Sequence, residues 1–234
     1  MLAVAIATVS TVYLAWTAKQ QGRALYPVVH DEFSYLIGAQ MLARGRLWMP
    51  PHPLAHFFDS FQLIVDPVYA SAYFPGTALL FALPVLAHIP IWLFAAAMAG
   101  IIVALLYLLV TRLIHGTVGL LAAGLLLSAG MFRTLSVMVM SQVPVMLFGL
   151  IALLAWFNWR QSRRSRWAML LGIASGWALI TRPIDAICFL LPIGIAALIE
   201  RRHLPRLICW TAIGLAPFLL IQLSSNKGIT GHFF

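Results

Sequence analysis

The chain has 234 residues, of which 62% are hydrophobic and only 9% charged, where a soluble domain carries about 25% charged residues. This shortage excludes an ordinary soluble enzyme, a disordered chain and a disulfide-built secreted module, and it describes a polytopic membrane protein. The net charge of +9, from 15 Lys and Arg against six Asp and Glu, fits basic loops at anionic headgroups, and no basic stretch interleaves with aromatics in a polar setting, which excludes nucleic acid as a partner.

In chain order, Met1–Ala18 is apolar and reads as a first membrane helix with a clipped start, since no Lys or Arg precedes it as a secretory signal would require. Lys19–Asp66 is mixed and holds four of the six acids, Asp31, Glu32, Asp59 and Asp66. Pro67–Thr111 lacks formal charge, and Pro75-Gly76, Pro84 and Pro90 divide it into a short piece at 76–88 and a span at 91–111. Further spans are expected at 117–132, 142–158, 167–181, 186–199 and 207–224. Cys188 and Cys209 lie in apolar runs without a CxxC partner and read as buried, inert thiols.

The basic loops at Arg160, Arg163, Arg164 and Arg166, and at Arg201, Arg202 and Arg206, belong in the cytoplasm by the positive-inside rule. Parity then leaves the piece at 76–88 unable to cross and predicts seven spans, with the amino terminus inside and the carboxyl terminus outside. The connections Lys19–Pro90, Arg133–Ser141 and Thr181–Asp185 fall outside. Lys19, Arg23, Arg44 and Arg46 run against the rule there and suit a phosphate-bearing ligand.

Candidate chemistry clusters at these outer boundaries. His30 through Arg44 reads as a short helix stopped by Gly45, with Asp31 as N-cap and Glu32 in its first turn. Asp31 is either this cap or a carboxylate at the water–lipid boundary, available as general base or metal ligand. His52 and His56 have a metal-like spacing near Asp59, but Pro50, Pro51 and Pro53 favour a loop with surface histidines. Arg182 and Asp185 form either a turn with an internal ion pair or a functional pair, and Gln142 reads as a polar residue opening a span.

With these residues in view, the chain resembles the GT-C membrane glycosyltransferases that use polyprenyl-phosphate sugars, among them the protein O-mannosyltransferases, the aminoarabinose transferase of lipid A and the Rgt-type core-sugar transferases. Asp31-Glu32 with Tyr35, Ala39 and Gly45 resembles that family's first outer-loop motif. His52-Pro53-Leu54, Phe57-Phe58-Asp59-Ser60-Phe61, Tyr69-Ala70-Ser71 and Tyr73-Phe74-Pro75-Gly76 resemble the rest of the loop. Leu179-Ile180-Thr181-Arg182-Pro183 and Asn226 with Ile229-Thr230-Gly231 resemble later outer motifs.

There are departures. Gln142 stands where many relatives carry a second outer-loop acid, no Lys precedes Pro75-Gly76, and relatives usually run to more than twice this length.

The resemblance implies an all-α polytopic fold, a single GT-C-like transmembrane domain over 1–234 with an outer loop at 19–90 and juxtamembrane helices near 32–44 and 76–88, lacking a carboxyl-terminal part. It implies an inverting sugar transfer at the outer face of the plasma membrane, from a polyprenyl-phosphate donor to a lipid, glycan or protein acceptor, among membrane lipids. Asp31 would be the catalytic base, with Glu32, Tyr35, Gln142 and Arg182 in supporting or substrate-binding roles. Arg44 and Arg46 join Arg182 as candidates for the leaving phosphate, and a divalent metal ion is a candidate cofactor, with Asp31 and Glu32 as its ligands. The competing classes are a transporter, which would place charged residues near mid-bilayer, and a non-catalytic membrane scaffold.

Overall fold

A computed structural model describes residues 1–233, with all side chains among them except those of Phe58 and Arg202; Phe58 of the loop motif and Arg202 of the second basic loop therefore lie outside the described side chains. The chain is all-α apart from one two-residue hairpin. Its elements are α1 (Leu2–Gln20), α2 (His30–Ala43), a 3-10 turn (Ala55–Phe58), β1 (Leu63–Ile64), β2 (Ala70–Ser71), α3 (Pro75–Leu86) and α4 (Ile91–Leu113). There follow α5 (Gly116–Ser128), α6 (Gly130–Leu135), α7 (Gln142–Ser162), α8 (Ser165–Leu179), α9 (Pro183–Ile199), a 3-10 turn (Arg201–His203) and α10 (Leu204–Thr230). In the hairpin Leu63 faces Ser71 and Ile64 faces Ala70, antiparallel.

Four of these helices, α1, α4, α7 and α10, are long and apolar enough to cross a membrane. The span expected at 117–132 is instead two helices. Ala129, with ψ at 116°, interrupts the helical path between α5 and α6, and the 13 residues of α5 reach only about 20 Å at 1.5 Å per residue, against a hydrocarbon layer of about 30 Å. The 15 residues of α8 and 17 of α9 are also short of a perpendicular crossing.

Small residues bring the helices together, as they must where lipid supplies no hydrophobic drive between them. On α4, Ala95, Ala96 and Ala99 are fully buried, and Gly100 lies directly against Thr11 and the Ala7 carbonyl of α1. Gly172 and Gly214 do the same for α8 and α10, where an added Cβ would meet the backbone of the other helix. The packing runs from α1 to α4, α7, α8 and α10, with α5 on α4 and α9 on α7 and α8. Outward faces stay apolar, including Val9 and Val12 of α1, Leu121 and Leu125 of α5, and Ile187 and Leu191 of α9. Cys188 and Cys209 are free and exposed on such faces, not buried as expected; an apolar run does not distinguish a lipid-facing position from a core one.

Contacts at the two ends fix how the helices are collected. Lys19 lies over the Trp92 ring, 5.5 Å from its centroid, so α1 ends where α4 begins. The Gly76 N–H donates to the Ile180 carbonyl at 2.7 Å, and the Val139 N–H donates to Glu32 at 2.9 Å. The loop 19–90, the segment 133–141 and the turn 181–185 therefore share one end. At the other, Arg112 donates to Asn158 at 2.9 Å, and Arg160 and Arg163 pair with Glu200.

Candidate active site

The site is organised by the first turn of α2. The helix opens one residue before His30, at Val29, whose φ of −104° and ψ of 142° are extended. That register makes Glu32 the third helical residue, from which a carboxylate folds back onto the N-cap amide. Glu32 Oε2 accepts from the Val28 and Val29 N–H groups at 3.0 and 3.3 Å, and Oε1 accepts from the Val139 N–H at 2.9 Å. The Glu32 residue is only 2% exposed. Capping thus falls to Glu32 and not to Asp31, contrary to the expectation from sequence.

Asp31, relieved of capping, meets a different partner. Its Oδ1 accepts from the Tyr73 hydroxyl at 2.6 Å. Tyr73 sits between β2 and α3, and its position is set by three links. Its ring stacks on Tyr35 of α2, with centroids 4.7 Å apart. Its N–H donates to Ser71 Oγ at 3.2 Å, and Ser71 Oγ lies 2.8 Å from Ser34 Oγ, which in turn donates to the Gln62 carbonyl at 2.6 Å. Burial, then the hydrogen bond and charge of Asp31, push the Tyr73 hydroxyl well above the usual phenol range, so it stays a proton donor to the carboxylate. Burial also raises the Tyr35 hydroxyl, which Ser141 and Arg182 draw down and Asp31 pushes up.

Arg182 arrives from the α8–α9 turn. It is the N-cap residue of α9, held extended ahead of Pro183. Its Nε donates to Asp185, and its Nη1 lies 3.4 Å from Ser141 Oγ. Both side chains of the pair remain partly exposed, at 38% and 43%.

A cavity of about 310 Å³ joins these groups, lined by Asp31, Tyr35, Tyr73, Gln142, Arg182 and Asp185 among others. Gln142 Oε1 is buried there without a hydrogen-bond partner, an acceptor left open in a site otherwise well paired. Of the residues singled out in sequence, Asp31, Tyr35, Gln142 and Arg182 come together and Glu32 stands behind them; Arg44 and Arg46, beyond the last turn of α2, are not among the lining residues. Asp185, expected beside Arg182 either as a turn pair or as a functional pair, is paired with it and lines the cavity; sequence reasoning missed the role of Tyr73. Tyr73 carried no signal beyond its place before Pro75-Gly76, because its use depends on a contact 42 residues away.

The donor set does not suit a cation shared by Asp31 and Glu32. Both Glu32 oxygens are committed to backbone amides, and Asp185 is paired with Arg182. Among the described residues no group of three or more His, Cys, Asp or Glu side chains is placed to hold a metal ion. His52 and His56 are exposed at and beside the 3-10 turn, away from the cavity.

The same end is locked to α8 at Gly76. Besides its N–H bond to Ile180, the Gly76 carbonyl accepts from Trp177 Nε1 at 2.9 Å, and a Cβ there would come within 2.7 Å of the Ile180 carbonyl oxygen. Glycine at this position therefore lets α3 seat directly on the end of α8, and α3 in turn carries Tyr73 at its threshold.

A family model described as dolichyl-phosphate-mannose-protein mannosyltransferase matches residues 73–224. The match takes in Tyr73, Gln142, Arg182 and Asp185 and begins after Asp31 and Glu32. Neither the curated proteins nor the solved structures contain a match to the chain.

Proposed function

Because the chain belongs to the dolichyl-phosphate-mannose-protein mannosyltransferase family, and so is a GT-C-like membrane glycosyltransferase domain, we propose that the Asp31 cavity is where it moves a sugar from a polyprenyl-phosphate donor to a hydroxyl-bearing acceptor, at the outer face of the membrane. The observation that carries this reading is the convergence of Asp31 and Arg182 on one cavity from α2 and the α8–α9 turn. A base and a cation are the two groups that a displacement at a sugar phosphate requires.

In this mechanism the acceptor hydroxyl attacks the anomeric carbon from the face opposite the phosphate, inverting the configuration. A new C–O bond forms as the bond from the anomeric carbon to the phosphate oxygen breaks, and polyprenyl phosphate leaves with the electron pair. Asp31 takes the hydroxyl proton as the displacement proceeds, which demands less of a carboxylate than ionising an alcohol beforehand. Tyr73 holds the carboxylate through Oδ1, leaving Oδ2 for the acceptor. Arg182, already tethered to Asp185, meets the negative charge that accumulates on the leaving phosphate. Gln142 lines the same cavity and brings its side-chain amide beside the bound sugar.

Transfer from labelled polyprenyl-phosphate sugars by membranes containing the protein tests the reading. Asp31→Asn lowers transfer by about a hundredfold or more, the scale of a lost general base, and Arg182→Gln raises the KM for the donor. Unchanged transfer in Asp31→Asn would overturn the assignment. The orientation is tested with Asp59→Cys in a background free of other cysteines: an impermeant thiol reagent modifies it from outside intact cells, and protection there would place the cavity on the cytoplasmic face.

A further inference from the structure

The end of the bundle opposite the Asp31 cavity carries two adjoining cavities that sugar transfer does not use. The first, about 760 Å³, lies among the ends of α7 and α9 and the 3-10 turn before α10, and is lined by Arg160, Arg163, Glu200, Arg201 and His203 together with Phe157 and Ile199. Three guanidinium groups face one carboxylate there, an excess of two positive charges before His203 is counted. Glu200 pairs with Arg160 and Arg163, and Arg163 also lies over the Trp159 ring, 4.4 Å from its centroid. These contacts fix two of the three arginines along one wall. Among the described residues Arg201 donates only to the Leu198 carbonyl, at 3.3 Å, and it is exposed.

The second cavity, about 560 Å³, is apolar. It lies between α9 and α10, which both pack on α8, and Leu190, Gly194, Leu198, Leu204, Ile208 and Leu215 are among the residues that form it. The two cavities meet along the chain, for Leu198 lines one and Ile199 the other, and Leu204 lines one and His203 the other. From Leu204 to Leu215 the groove follows α10 for about 16 Å at 1.5 Å per residue. That is roughly half of the ~30 Å hydrocarbon layer, the depth of one leaflet.

A free anion would account for the charged cavity and leave the apolar one unexplained, and a neutral lipid would do the reverse. We infer that this end of the protein binds an anionic phospholipid, its phosphodiester among Arg160, Arg201 and His203 and one acyl chain in the groove between α9 and α10. The site is independent of the transfer reaction, and a groove one leaflet deep matches an acyl chain better than the longer isoprenoid of a sugar carrier.

Native mass spectrometry of the full chain, released from nanodiscs of equal parts phosphatidylglycerol and phosphatidylcholine, tests the inference. The unaltered protein retains phosphatidylglycerol over phosphatidylcholine by at least tenfold. Arg160→Gln combined with Arg201→Gln brings that ratio close to one. Gly194→Leu fills the groove from a position where an added Cβ meets no atom within 4 Å and improves the helical propensity of α9, so it folds while cutting phosphatidylglycerol retention at least tenfold. Should the arginine variant lose helicity, Gly194→Leu decides alone. Equal retention of the two lipids by the unaltered protein, or an unchanged preference in a folded variant, overturns the inference. So does displacement of the lipid by millimolar inorganic phosphate, or by polyprenyl phosphate at equal concentration.

Discussion

Asp31 and Glu32 are adjacent acids with separate tasks, and Glu32→Gln paired with Asp31→Asn separates them. A glutamine has one carbonyl oxygen where Glu32 offers two acceptors. Its oxygen turns to the Val139 N–H, because Val139 is only 3% exposed, while Val28 and Val29 lie at the surface and their amides reach water. The new NH2 group then faces the N–H groups of Val28 and Val29, donor against donor. At least one charge-assisted hydrogen bond is lost, worth about 1.5–3 kcal/mol, and a donor is left poorly paired. The expected loss is about 2–4 kcal/mol, equivalent to roughly 4–16 °C in Tm for a chain of this size. Asp31→Asn keeps an oxygen for the Tyr73 hydroxyl and changes Tm by no more than ~2 °C, yet it removes the proposed proton acceptor. Thermal unfolding followed by tryptophan fluorescence in detergent, alongside sugar transfer measured well below either Tm, resolves the two variants. If Glu32→Gln unfolds within ~1 °C of the unaltered protein, the tie between α2 and the 139 segment does not support the site as described. If Asp31→Asn loses Tm as Glu32→Gln does, the division of labour is refuted.

Three further outcomes follow from the same contacts. Tyr73→Phe keeps the stack on Tyr35 but removes the donor to Asp31; the loss of a hydrogen bond worth about 1.5–3 kcal/mol to a charged group corresponds to roughly a 10- to 150-fold fall in kcat/KM, measured by donor titration. Gly76→Ala forces α3 off the α8 end, costing about 1–3 kcal/mol as an overpacked contact, and transfer falls with Tm because Tyr73 moves too. Glu200→Gln tests the basic end through pH. Its carboxyl is held below the usual range, first by Arg163 and then by Arg160, so its stabilisation is complete above the ordinary carboxyl range and is lost as pH falls through the lowered value. The Tm of the variant should therefore trail the unaltered protein at pH 7 by an amount worth about 1 kcal/mol or less, and the gap should close in acid below that range. A gap that widens in acid would contradict the pairing.

The long apolar helices were legible because hydropathy is a local property. The expected spans at 91–111 and 142–158 correspond to Ile91–Leu113 and Gln142–Ser162, and polar residues at the borders of apolar runs drew notice to Asp31, Gln142 and Arg182. The break between α5 and α6 was not legible. It turns on one extended residue, Ala129, inside a run whose composition is as apolar as an unbroken span. Tyr73 was hidden for a different reason. An aromatic residue before Pro75-Gly76 packs whether or not its hydroxyl is used, and only the chain's return across the hairpin delivers that hydroxyl to Asp31.

The assignment of the two acids turned on a smaller quantity, the helix start. Asp is a strong N-cap residue, so sequence preference begins the helix at Asp31 and gives Glu32 to the cavity or to a cation. The helix begins two residues earlier, at the Val29 cap, and rotation at 3.6 residues per turn does the rest. Glu32 then falls at the third helical position, from which its side chain reaches back to Val28 and Val29 and across to Val139. Asp31 is turned by about 100° from it and lines the cavity with Arg182. The pattern of a Glu three residues after an extended residue is itself a cap signal, weakened here because valine lacks the side-chain oxygen that usually announces it. A boundary uncertain by two residues, the ordinary margin for helix ends, thus decided which carboxylate ties the fold together and which one lines the cavity as the proposed proton acceptor.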